Sequence, residues 1–134
     1  MRHGKKNKKL GRSSAHRKAT ISALVCALIE QKRIKTTVAK AKIARSLAEK
    51  MVTLARKGTL AARRQALATL IRVKHVRILF EEIVPQLNGR QGGYIRITKL
   101  GPRRGDCSEN AVLEWIGIAP LPKKKKKKKE VEKP

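Results

Sequence analysis

Eight of the first eighteen residues, MRHGKKNKKLGRSSAHRK, are Lys or Arg, and the first acidic residue is Glu30. The chemistry open to such a segment is ion pairing with a polyanion. Arg2, Lys5, Lys6, Arg12, Arg17 and Lys18 would each release condensed counterions on docking a phosphate. His3 and His16 lie among cations, which disfavours a metal ion and suits a phosphate or a 2′-hydroxyl. Apart from Met1, Leu10 is the only sizeable apolar residue before Ser13, so little there offsets the entropy of ordering the segment alone.

Two more stretches concentrate the same chemistry. In RIKTTVAKAK (33–42), Lys40 and Lys42 follow Thr36 and Thr37 at an expected helix start, where free N–H groups and the helix dipole attract anions. The plainer reading is a Thr cap beneath a solvated basic face, and sequence alone does not separate the two. In RQGGYIRITKLGPRRGD (90–106), Arg90, Arg96, Arg103 and Arg104 surround a Gly-Gly pair that permits close backbone approach. Tyr94 has the face to stack on a base, as RNA readers use aromatic rings, or it is a residue of the sheet.

Other chemistries lack their residues. No pair of carboxylates is spaced for acid–base work, since Glu81 and Glu82 are adjacent on an expected helix and point apart. No nucleophile has both a base and an orienting group, and no phosphate-cradling Walker loop is present. His75 has no partner at ligand spacing. Cys26 and Cys107 form no metal-binding pattern and are expected to be unpaired thiols. Arg104-Gly105-Asp106 is read as a coincidental adhesion triplet. The expectation is a protein that is not an enzyme and takes no cofactor, metal or small-molecule substrate.

The elements that must position these residues belong to a chain of 134 residues with 35 Lys+Arg, 9 Asp+Glu and a formal net charge of +26. That length favours one core. Residues 1–29 carry +8, residues 30–122 carry +12 and residues 123–134 carry +6. Self-repulsion of this size is relieved by a polyanionic partner. A membrane is the weaker candidate: no apolar run approaches the ~18 residues of a spanning helix, and Trp and Phe are too few for an interfacial one. With no signal-peptide pattern at its start, the chain is expected in the cytosol.

Ser13 or Ser14 can cap a helix whose stripe is Ile21, Leu24, Val25, Leu28 and Ile29. RIKTT (33–37) reads as a short strand. Thr37 can cap a second helix to about Lys57, with Ile43, Leu47, Met51 and Leu54 inward and Gly58 ending it. Residues 59–84 hold two helices broken at Arg72–His75, one with the stripe Leu60, Leu67, Leu70, Ile71 and one with Val76, Leu79, Phe80, Ile83, Val84. Pro85 is expected to stop the second. YIRITKL (94–100) and AVLEWIGI (111–118) alternate as strands and should form an antiparallel hairpin across the turn-rich GPRRGD. The organisation expected is a basic arm (1–12), a single globular α+β body of four helices and a small sheet (13–119), and a disordered Lys-rich tail (120–134).

Charge spread over every surface segment, rather than along one recognition helix, suits a partner of complex shape that surrounds the protein. That favours RNA over a DNA-packaging role, with an RNA-modifying enzyme third for want of a site.

MRH, LGR (10–12), SSAHR (13–17), TTVAKAK (36–42), GGYIRITKL (92–100) and RRGD (103–106) resemble, in order, the bacterial large-subunit ribosomal protein seventeen family. The resemblance spans residues 1 to about 118. It implies a three-stranded mixed sheet backed by helices, with RIKTT as the third strand. It also implies a structural ribosomal role on 23S ribosomal RNA near the exit of the peptide tunnel, with large-subunit protein thirty-two as a neighbour. Arg2, His3, Arg12, His16, Arg17, Thr36, Thr37, Lys40, Lys42, Tyr94, Arg96, Arg103 and Arg104 become the implied RNA contacts. Residues 59–75 follow the family only loosely, Trp115 replaces a small aliphatic residue, and the Lys run lies outside the resemblance.

Overall fold

The computed structural model describes residues 8–122. Arg2, His3, Lys5, Lys6 and the Lys run 123–129 lie outside the described residues. Helix α1 is Ser14–Gln31, strand β1 Arg33–Thr37, helix α2 Val38–Lys57 and helix α3 Leu60–Leu70. A fourth helix, α4 (73–86), has an α-helical part Val73–Ile78, a π turn Leu79–Ile83 and a last turn Val84–Gln86. Strands β2 (Ile95–Pro102) and β3 (Glu109–Trp115) complete an α+β fold.

Local chemistry sets most boundaries. Ser13 is the N-cap of α1, its side chain accepting from the His16 N–H, and Thr59 caps α3 by accepting from Ala62 N–H. Gly58 ends α2 with φ +66°, a left-handed conformation that glycine adopts without strain. Lys32 ends α1 in the same conformation, its N–H donating to Leu28 O.

Pro85 does not end the last helix. Val84 N–H reaches back five residues to Leu79 O, so the helix is already widened into a π turn where Pro85 has no N–H to give. One more turn follows before the chain leaves the helix.

The sheet order is β1-β3-β2, and both pairings are antiparallel. This corrects the mixed sheet that the family resemblance implied: RIKTT is the third strand, but it runs opposite to β3. The expected hairpin is present with shifted ends. Gly101 and Pro102 belong to β2 rather than to the link, and a bulge between Lys99 and Gly101 leaves Leu100 unmatched and exposed. Gly101 at φ +90° makes that bulge possible.

One face of the sheet packs on the helices. Ile95, Ala111, Leu113 and Trp115 lie in the core there with Val25, Leu28 and Ile29 of α1 and Leu79 and Ile83 of α4. The burial of α2 differs from the expected stripe. Val38, Ala41, Ala44, Ala48, Met51, Val52 and Ala55 are buried, whereas Ile43, Leu47 and Leu54 are half-buried. The small Ala side chains let the neighbouring elements approach the helix backbone closely, which turns the bulkier residues to the flank. In α3 the expected stripe also divides: Leu70 is buried, and Leu60 and Ile71 are exposed.

Candidate nucleic-acid interface

The described residues include 24 Lys and Arg against 7 Asp and Glu. Six of the seven acids are already in ion pairs: Glu30 with Lys74 and His75, Glu49 with Arg45, Glu81 with Arg77, Glu82 with Lys32, Asp106 with Arg103, and Glu114 with Arg33. Eighteen Lys and Arg therefore have no acidic partner among the described residues. The structure supplies anions for local positioning and leaves a large unneutralised positive surface.

That surface is organised by the sheet. The register places Arg33, Glu114 and Arg96 in one cross-strand row, with Arg33 Nε 3.4 Å from Glu114 Oε2. The next row on the same face is Lys35, Val112 and Thr98, and the next is Thr37, Asn110 and Gly101. This is the face turned away from Leu113 and the helices. In these three rows Glu114 is the one carboxylate, set between two arginines, and the remaining charge is positive.

The sheet also joins the two basic motifs that the sequence separates. Lys35, Thr36, Thr37, Lys40, Arg103 and Asn110 line one open cavity of about 400 Å³ at the end of the sheet. Thr37 occupies the N-cap position of α2 but makes no side-chain capping hydrogen bond. Arg103 is held by both oxygens of Asp106, through Nε at 3.0 Å to Oδ1 and through Nη2 to Oδ2. These bonds hold the Asp106 carboxyl at about 2, with the Ser108 N–H helping. The turn is closed by Arg103 N–H to Ser108 O at 2.9 Å and Cys107 N–H to Arg103 O at 3.0 Å. Arg104 is exposed at its tip.

Other expected contact residues are placed elsewhere. His16 and Lys18 are exposed on the first turns of α1, and Lys42 and Arg90 are exposed on α2 and on the loop before β2. Arg12 and Arg17 are half-buried, Arg12 Nη1 donating to Leu10 O and Arg17 Nη1 to Arg12 O, so they brace the chain entering α1. Tyr94 is a correction. It is 4% exposed, its hydroxyl accepts from Arg56 Nη1 at 2.7 Å, and the Arg56 guanidinium stands 5.9 Å from the ring centroid. The ring packs in the core and has no free face for a base. The same Arg56 nitrogen donates to Arg90 O, which ties the end of α2 to the loop before β2.

Sequence reasoning missed Asn110, Lys35 and the row of Arg33 and Arg96 as parts of one surface. The signal was the cross-strand register, which a single sequence does not display. It also missed the buried His75, whose Nε2 lies 3.1 Å from Glu30 Oε1. Hydrogen bonds from Lys74 and then His75 hold the Glu30 carboxyl below its ordinary value. Cys26 is half-buried, its thiol donating to Leu70 O at 3.4 Å, and burial raises its pKa. Cys26 and Cys107 are both free. A larger cavity of about 610 Å³ lies between α1, α2 and α3, lined by Ile21, Ile43, Leu47 and Ile71 with Lys18 and Lys50 also on its wall. It is apolar where the sheet-end cavity is cationic.

The fold and its surface define a class: a small helix-on-sheet scaffold whose exposed chemistry is cationic and whose carboxylates serve as struts. Residues 20–116 match the family model described as ribosomal protein L17, and the chain belongs to that family. The family is structural and not enzymatic. Among its relatives, "Large ribosomal subunit protein bL17" of Methylacidiphilum infernorum is 51% identical over 126 residues, covering 93% of this chain and 96% of the relative. The protein of the same name from Alkaliphilus metalliredigens is 54% identical over 110 residues, 82% and 97% of the two chains. That from Chlorobium chlorochromatii is 50% identical over 116 residues, 87% and 75%.

Proposed function

We propose that this chain is a structural component of the large ribosomal subunit that binds 23S ribosomal RNA through its basic body and its opening arm. The observation that carries the reading is the imbalance of charge: eighteen described Lys and Arg have no acidic partner, and they are spread over helices, sheet and turns. RNA phosphates neutralise such a surface with release of counterions. Lys40, Lys42, Thr36 and Thr37 at the start of α2, Arg96 on the open sheet face, Arg103 and Arg104 at the hairpin turn, and Arg90 before it are the body contacts. Arg2, His3, Lys5, Lys6, Arg12, His16, Arg17 and Lys18 belong to the arm and the entry to α1. The place in the subunit is near the exit of the peptide tunnel, with large-subunit protein thirty-two as a neighbour; the family resemblance supports both.

The test is sedimentation of a cell lysate followed by a high-salt wash. Retention in the large-subunit and whole-ribosome peaks is the expected result, because loosely adsorbed polycations are removed by salt. Release into light fractions, or migration with DNA, overturns the reading.

A further inference from the structure

The sheet-end cavity contains one group that phosphate binding leaves unexplained. Asn110 is only 7% exposed, lines the cavity, and its side-chain amide makes no hydrogen bond to any described residue. It stands in the same cross-strand row as Thr37 and Gly101, on the face away from the core. The amide donor and acceptor are not among the fully buried orphaned atoms, so both open onto the cavity and are available to a ligand. Around it stand Lys35, Lys40 and Arg103, all donors with no acceptor to offer. Arg103 uses Nε and Nη2 on Asp106, which leaves Nη1 free to donate.

The chemistry of a fitting ligand follows from that mixture. A phosphate only accepts hydrogen bonds, so it suits Lys35, Lys40, Arg103 and the uncapped first amides of α2, but it satisfies only half of an amide. Asn110 has a donor and an acceptor, and its natural complement is a group with both. A ribose 2′-hydroxyl next to a backbone phosphate is such a group, and it is the feature that separates RNA from DNA. A cavity of about 400 Å³ lies within the ~300–1,000 Å³ range of small-ligand clefts. A ribose-phosphate unit is therefore of suitable size.

We propose that this cavity is an RNA-selective socket: Lys35, Lys40 and Arg103 hold one backbone phosphate against the start of α2, and Asn110 hydrogen-bonds the adjoining ribose 2′-hydroxyl. The proposal rests on the reading that the chain binds RNA, and it adds the sugar as the recognised group.

The test uses the full-length, 15N-labelled chain titrated at moderate salt with a single-stranded 12-mer RNA and with the DNA of the same base sequence. Expected is movement of the Asn110 side-chain NH2 resonances by RNA and not by DNA, while both oligonucleotides move the amides of residues 38–40. N110A should narrow the RNA-over-DNA preference about three- to tenfold, the value of one net hydrogen bond. The titration of the unaltered chain stands if that variant does not fold. Equal movement of the Asn110 signals by both oligonucleotides, or RNA binding that leaves them still, overturns the socket and leaves the RNA-binding reading in place. No binding of either oligonucleotide overturns both.

Discussion

The Trp115 indole N–H donates to the Leu28 carbonyl at 3.1 Å, joining the end of β3 to the last turn of α1 across 87 residues of sequence. The same carbonyl also accepts from Lys32 N–H at 2.9 Å. Removing the indole donor therefore does not orphan Leu28 O. W115F should cost only about 1–2 kcal/mol, whereas W115A, which empties a position 2% exposed, should cost about 3–5 kcal/mol. Urea unfolding of the two variants separates the contributions of hydrogen bond and volume.

Ile71 ends α3 at φ +66° and is 73% exposed. A β-branched residue in that conformation carries strain of about 1–2 kcal/mol that glycine would not. I71G should raise the unfolding free energy by about 1 kcal/mol, since little buried surface is lost to set against the relief. A lower urea midpoint for I71G would show that the Ile71 side chain is holding the break between α3 and α4.

Acid should weaken the fold through two carboxylates. The Asp106 carboxyl is pulled from its ordinary 3.8 to about 2, chiefly by Arg103, and Glu30 is also lowered, chiefly by Lys74. A carboxyl depressed in the folded state contributes stability that is complete above its unfolded pKa and is lost as pH falls through the folded one. The loss therefore lies between about pH 4 and pH 2 for Asp106. D106N and E30Q should each flatten part of this fall and leave the shape of the curve above pH 5 alone, as read by denaturant midpoints at stepped pH.

If the socket face contacts RNA, its cations should set part of the salt dependence. K35A and K40A should each reduce the slope of log affinity against log salt by about 1. Lys57 is exposed on the same helix, about 26 Å beyond Lys40 at 1.5 Å per residue. K57A should leave the slope unchanged. Equal effects from all three would mean diffuse attraction rather than a docked face.

Deleting residues 2–12 should leave the thermal unfolding midpoint within a few degrees, because α1 begins at Ser14 and its cap is Ser13. Incorporation into the subunit should fall in competition with the full chain. Equal incorporation would remove the opening arm from the reading.

Elements governed by local chemistry were legible in the sequence: the Ser13 and Thr59 caps, the Gly58 ending, the β1 strand and the hairpin. What depends on how elements meet was not. Ile43, Leu47 and Leu54 are the larger apolar residues of α2, yet the Ala face is buried, because close approach favours the smaller side chains. The antiparallel direction of β1 follows from pairing with β3, which periodicity does not encode. Tyr94 turned inward because Arg56, 38 residues away, supplies its hydroxyl with a partner. Of the site, the basic motifs were visible as types and spacing, but their meeting at Asn110 required the register.

The central strand of the sheet is β3, and it is the last strand among the described residues. Synthesis runs from the N-terminus, so β1 and β2 leave the ribosome with no neighbour to pair with until residues 109–115 arrive. Until then their open edges are a hazard, and the row Thr37–Asn110–Gly101 does not exist. That face is thus assembled only once β3 has been made, while the charge ahead of Ser13 is available from the first moments of its emergence. The order of the strands gives the two basic regions different clocks.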